Sequence, residues 1–231
     1  MRLASAIYYD VKNQYRSGFY FAYLIVCLIY IAALRQFPAH ITKQITTIII
    51  FIDPSILGFY FIGGLILLEK RQRTLYGLFI TPMSVSEYLL SKAISLTLLA
   101  ILSSVLIAFS VIGTSINLAL FIFTIILSSI LFVFIGIAVV VRVPDLNHYL
   151  FLSALPMIVI AAPILDYLEV IQSNLFYLSP AHPVLNLLSE AISDASEISY
   201  INFMAIAIWL IIGYFWARKW FQTYVVEKTG A

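Results

Sequence analysis

The sequence predicts an all-α integral membrane protein, and three observations lead there. Hydrophobic residues make up 63% of the 231 residues and charged ones only 10%, with a mean hydropathy of +1.04. A soluble domain carries roughly 25% charged residues, so this chain has too few to cover a water-facing surface. The apolar residues also come in continuous runs, not in the period-two alternation of a membrane barrel strand, and continuous runs that cross lipid must be helical. Finally, the basic residues gather in alternate connectors, which is the charge pattern of a multi-pass chain.

A helix needs about 20 apolar residues to cross roughly 30 Å of hydrocarbon. Six runs qualify as candidates: residues 18–34, 45–68, 93–112, 118–141, 149–164 and 201–217. The fifth is short and holds Pro156 and Pro163. Short loops join the runs, with no internal repeat and no soluble segment, so residues 1–231 read as a single transmembrane domain. With both termini inside, Arg2, Lys12, Arg16, Lys70, Arg71, Arg73, Lys92, Arg142, Arg218, Lys219 and Lys228 are cytoplasmic, and only Arg35 and Lys43 are outside. Cytoplasmic loops hold the Lys and Arg excess, so both termini are expected in the cytoplasm.

Before the first run, residues 1–17 form an amphipathic interface helix. Leu3, Ile7, Tyr8, Val11 and Tyr15 recur at three- and four-residue spacing, and Asp10, Lys12, Asn13 and Arg16 take most of the other side. Such a helix lies at the membrane surface, as a plain anchor or as a gating element. Inside the second run, Asp53 precedes Pro54. A buried charge costs at least about 2.5–3.5 kcal/mol in a membrane, so Asp53 is either a pathway contact for a cation or proton, or the N-cap of a helix restarting at Pro54.

The connector after the second run is the most informative. It reads EKRQRTLYGLFITPMSVSEYLLSK, with Glu69, Lys70, Arg71 and Arg73 ahead of Leu75, Tyr76, Leu78 and Phe79. Pro82 stops what precedes it, and Ser84 with Glu87 three residues on is a capping box that opens the third run. A short surface helix, a turn and a freshly capped span follow from this, although a basic loop that only sets topology has the same charges.

The stretch GFYFIGGLILLEKRQRTLYGLFITPMSVSEYLLSKAISLTLLA resembles the core of type-2 ATP-binding-cassette (ABC) exporter permeases. The residues that carry the likeness are Glu69, Thr74-Leu75, Thr81-Pro82 and Ser91-Lys92, and Asp53-Pro54 is similar to bacterial permeases named as fluoroquinolone or drug exporters. The resemblance implies a coupling helix within residues 69–83 that seats in a separate ABC ATPase subunit. Glu69, Lys70, Arg71, Arg73, Leu75, Tyr76, Leu78 and Phe79 would serve that coupling, and Glu69 would relay it to the second and third spans. It also implies re-entrant or interfacial outer helices in the connector 166–200, where a plain surface pair is the simpler alternative.

No Gly-Lys pair occurs, so the chain lacks the phosphate loop of an ATPase. ATP and Mg would be bound by two copies of the partner ATPase, beside a second permease copy, as a homodimer or with a related permease. The cell membrane of a prokaryote is the expected location, with membrane lipids as further partners. No HExxH or Gly-x-Ser-x-Gly signature is present, and His40, His148 and His182 fall in separate expected loops, ungrouped, which argues against an intramembrane enzyme. The expected role is therefore outward movement of a hydrophobic or amphipathic substrate, drug-like or lipid-like. A stand-alone secondary transporter is the alternative, but such proteins tend to carry interrupted helices in repeated halves.

Overall fold

The computed structural model describes residues 2–53, 58–72, 74–75, 83–193 and 199–226, and these are helical with no strand among them. The chain begins with α1 (Arg2–Arg16), which turns at Gly18 into α2 (Phe19–Leu34) with a bend of 64° between them. Gly18 takes φ 76°, a left-handed conformation that a side chain would strain, and this fixes the corner. Then follow α3 (Ala39–Ile52), α4 (Gly58–Arg71) and α5 (Val85–Val111).

Leu118–Val140 forms α6, Leu146–Ala161 forms α7 and Pro163–Tyr167 forms α8. A 3₁₀ turn at Asn174–Leu178 leads to α9 (Ala181–Ser193), and α10 (Tyr200–Phe221) ends in a π turn at Gln222–Val226.

Among the described residues, four helical stretches are long and apolar enough to cross a membrane: Val85–Val111, Leu118–Val140, Leu146–Tyr167 and Tyr200–Val225. A fifth is reached if the bent pair α1 and α2 counts as one span. The expected second run, 45–68, is divided between α3 and α4, each 14 residues and so about 21 Å long, too short to cross alone. Continuous hydrophobicity marked the membrane segment, and α3 ends at Ile52, beside the residue whose capping reading put a helix boundary there.

The core lies along α6. It packs against α4, α5, α9 and α10, and nearly its whole second half, from Leu131 to Val140, is buried. Gly136 allows a close approach. A Cβ there would stand 2.6 Å from the Cγ2 of Ile62 and 2.9 Å from the carbonyl oxygen of Phe59, so α4 and α6 touch through backbone. Gly63 does the same for α7, because the Tyr149 ring occupies the space of its missing side chain. The Tyr149 hydroxyl donates to the Phe59 carbonyl at 2.7 Å, and its ring stacks on that of Phe59.

The expected capping box forms. Ser84 Oγ accepts from the Glu87 N–H at 3.2 Å, and Glu87 Oε2 accepts from the Ser84 N–H at 2.8 Å. At the other end of the bundle, α9 turns its apolar face inward against α3 and α6, burying Val184, Leu185, Leu187, Leu188 and Ile192. His182, expected in a loop, lies in the first turn of this helix, and its Nε2 sits 3.4 Å from Asp166 Oδ2. His148, also expected in a loop, lies in the first turn of α7, where Asp145 Oδ1 caps its backbone N–H at 3.0 Å.

Candidate functional site

The ends of α4 and α10 and the starts of α5 and α7 meet at one end of the bundle, together with α1. The site there is built around Lys92. Its Nζ lies 2.5 Å from Asp10 Oδ1 of α1 and also donates to Glu69 Oε1 of α4, while Tyr88, one turn earlier on α5, donates its hydroxyl to Glu69 Oε2 at 2.7 Å. The Lys92 side chain is only 5% exposed and each carboxylate 14%. Desolvating such charges is expensive, and an arrangement of this kind is held only where pairing and hydrogen bonds are complete. The ammonium here has two carboxylates, and Glu69 has the tyrosine as well.

The helix geometry explains why these residues meet. Asp10 and Gln14 are four apart on α1 and share a face, and Lys92 and Ser95 are three apart on α5. Asp10 takes Lys92, and Gln14 Nε2 donates to Ser95 Oγ at 2.9 Å. Thus α1 docks on α5 through polar contacts. Its aromatic side remains outward, with Tyr8 63% and Tyr15 72% exposed, which suits a membrane surface. The sequence placed Asp10 on the water side of this helix; the structure turns it inward because a buried lysine waits opposite.

The other expected coupling residues separate in kind. Lys70 Nζ donates to the carbonyls of Val141 at 3.0 Å and Val143 at 3.3 Å, with Val140 at 3.4 Å. These groups end α6, where the helix has carbonyls without intrahelical partners and a partial negative charge. Lys70 therefore caps α6. Arg71 is exposed and Leu75 is fully buried, whereas Arg73, Tyr76, Leu78 and Phe79 lie outside the described residues. Nearby, the Arg142 guanidinium rests on the Trp220 ring and 5.7 Å from that of Trp216.

A cavity of about 710 Å³ opens beside Lys70 and Arg71. Gly64, Leu67, Leu68 and Leu146 give it an apolar wall and Asp145 and Asn147 a polar rim, with Tyr224 closing one side. The space is open, and its lining mixes apolar with charged and polar side chains.

Asp53 is distant from this cluster. It is fully buried at the end of α3 with helical backbone, φ −60° and ψ −64°, and its Oδ2 contacts Ser103 Oγ of α5. An N-cap has extended backbone and accepts from an N–H two or three residues on. Asp53 has the helical backbone of a residue that ends a helix, and it reaches across to another one.

Lys92, Asp10, Tyr88, Gln14 and Ser95 went unnoticed as a group in the sequence. The available signal was a lysine two turns into a membrane helix, where a cation needs a partner.

A single helical membrane domain with a charged cluster at one end and an amphipathic cavity beside it has the build of an export permease. The chain belongs to the fluoroquinolones export permease protein family, whose family model matches residues 1–229. Two curated Mycobacterium tuberculosis proteins, from strains CDC 1551 / Oshkosh and ATCC 25618 / H37Rv, are each named as a fluoroquinolones export permease protein. Each is 26% identical to it over 196 residues, covering 84% of this chain and 83% of the relative.

Proposed function

We propose that this chain is the membrane subunit of an ABC-type exporter that moves an amphipathic, drug-like substrate outward, powered by a separate ATPase. The observation that carries this reading is the convergence of α1, α4 and α5 on Lys92 at the root of the connector 69–83. A push on that connector reaches Glu69 first, and through Lys92 it reaches both the interface helix and a long span. The names of the family and of the Mycobacterium tuberculosis relatives support a drug as cargo.

In this reading the basic end faces the cytoplasm, in keeping with the charge bias. α3 and α4 act together as one broken span, which with the bent first span gives six crossings in the cell membrane. Two permease copies and two ATPases make the working complex. The cavity beside Lys70 receives the cargo from the inner leaflet, and closure of the ATPases closes it from below.

The test is co-purification of the tagged chain with an ATPase from its source cells, followed by ATP turnover with and without a fluoroquinolone. Turnover stimulated by the drug in a two-to-two complex is expected. A chain that exports drug with no ATPase attached would overturn the reading and favour a secondary transporter.

A further inference from the structure

We propose that Asp53 and Ser103 form a proton-binding site in the membrane interior, with the proton carried on Asp53 and donated to the serine oxygen. The argument is one of counting hydrogens. Ser103 Oγ lies in hydrogen-bond contact with Asp53 Oδ2 and also 3.0 Å from the carbonyl of Ala100, one turn back on α5. A hydroxyl has a single hydrogen. If that hydrogen serves the Ala100 carbonyl, the closer contact to Asp53 needs a hydrogen of its own, and only the carboxyl can supply it. An ionised Asp53 would place a full negative charge where its Oδ1 has no hydrogen-bond partner.

The surroundings point the same way. Asp53 is 0% exposed, and no lysine, arginine or histidine among the described residues pairs with it. Tyr23, Cys27 and Tyr30 of α2 are the titratable groups within electrostatic reach, and each is neutral in its ordinary range. An unpaired buried carboxylate is costly in lipid, and a carboxyl in such a site takes a proton. Full burial leaves no room for a hydrated cation, so the ligand is the proton, exchanged with water as hydronium.

Infrared difference spectroscopy of the purified protein in lipid at neutral pH tests this without relying on transport. The wild-type minus Asp53→Asn spectrum is expected to show one carboxylic-acid carbonyl band. In Ser103→Ala the band should persist and move to higher frequency, since the acid loses its acceptor. The second variant keeps the proposal testable if the first does not fold. A wild-type spectrum without that band, or a band that Ser103→Ala leaves in place, overturns it. Failure of the exporter reading would show instead as absent drug-stimulated ATP turnover, with the infrared result unaffected.

Discussion

Lys92 and Asp10 meet at 2.5 Å across 82 residues of chain, joining the helix that opens the protein to the third apolar run. Glu69 closes the group from α4. Because the ammonium is nearly fully buried, its loss would leave two carboxylates without a counter-charge.

Lys92→Met is therefore expected to cost about 3–5 kcal/mol, the usual penalty for breaking one side of a buried ion pair. Thermal unfolding in detergent measures it. Adding Asp10→Asn and Glu69→Gln should recover much of the loss, because the orphaned charges go with the lysine. A triple variant no more stable than the single one would remove the electrostatic explanation.

Lys70 and the aromatic residues of the connector should fail differently. Lys70→Ala leaves the carbonyls of Val140, Val141 and Val143 without this donor and is expected to lower stability by about 1–3 kcal/mol, while a pulldown still recovers the proposed ATPase. Tyr76→Ala with Phe79→Ala should leave the melting temperature alone and strip the ATPase from the membrane, since aromatic anchors cost about 2 kcal/mol or more on truncation. The reverse pattern would mean that the connector sets topology only.

Sidedness can be read with thiol labelling, because Cys27 is the only native cysteine and is buried. Thr114→Cys and Gln172→Cys, both exposed at the end away from Lys92, should react with an impermeant reagent added to intact cells. Gln72→Cys, exposed at the basic end, should not. Labelling of position 72 from outside would invert the bundle.

His182 provides a pH dependence. Burial pushes its imidazole below the ordinary histidine range, partly offset by Asp166. A depressed value means that the folded form holds the neutral ring, so this contribution is present above the unfolded pKa of about 6.5 and is lost as pH falls through the lower folded value. Protection of the α9 amides, measured with the intrinsic exchange rate at each pH divided out, is expected to fall as pH drops from 7.5 to 5, and His182→Gln should flatten that response. Equal pH sensitivity in the variant would place the effect elsewhere.

Legibility followed the range of the interactions. The capping box of Ser84 and Glu87 spans three residues, and the sequence spells it out. The helical class and the apolar runs were equally readable, since they depend on composition and periodicity within one segment. The break at Asp53 was legible only through the Asp53-Pro54 pair, because the apolar residues on both sides of it make one continuous signal. The Lys92 group was hidden: Asp10, Glu69 and Lys92 come from three separate elements, and each alone looks like an ordinary charge near a membrane surface. His182 read as a loop residue because Pro180 and Pro183 flank it, although proline is well tolerated in a first helical turn.

Gly136 and Gly63 have a mechanical consequence. With no side chain of their own, these glycines let α4 pack tightly on α6 and α7: the Phe59 carbonyl and the Ile62 side chain stand against residue 136, and the Tyr149 ring fills the place beside residue 63. A soft, well-lubricated contact would absorb a small displacement at the root of the connector. In the proposed exporter a stiff contact would pass such a displacement on from Glu69 into the bundle. Gly136→Ala, by prising the two backbones apart, should leave a permease that still folds and still holds its partners, yet transmits the stroke poorly.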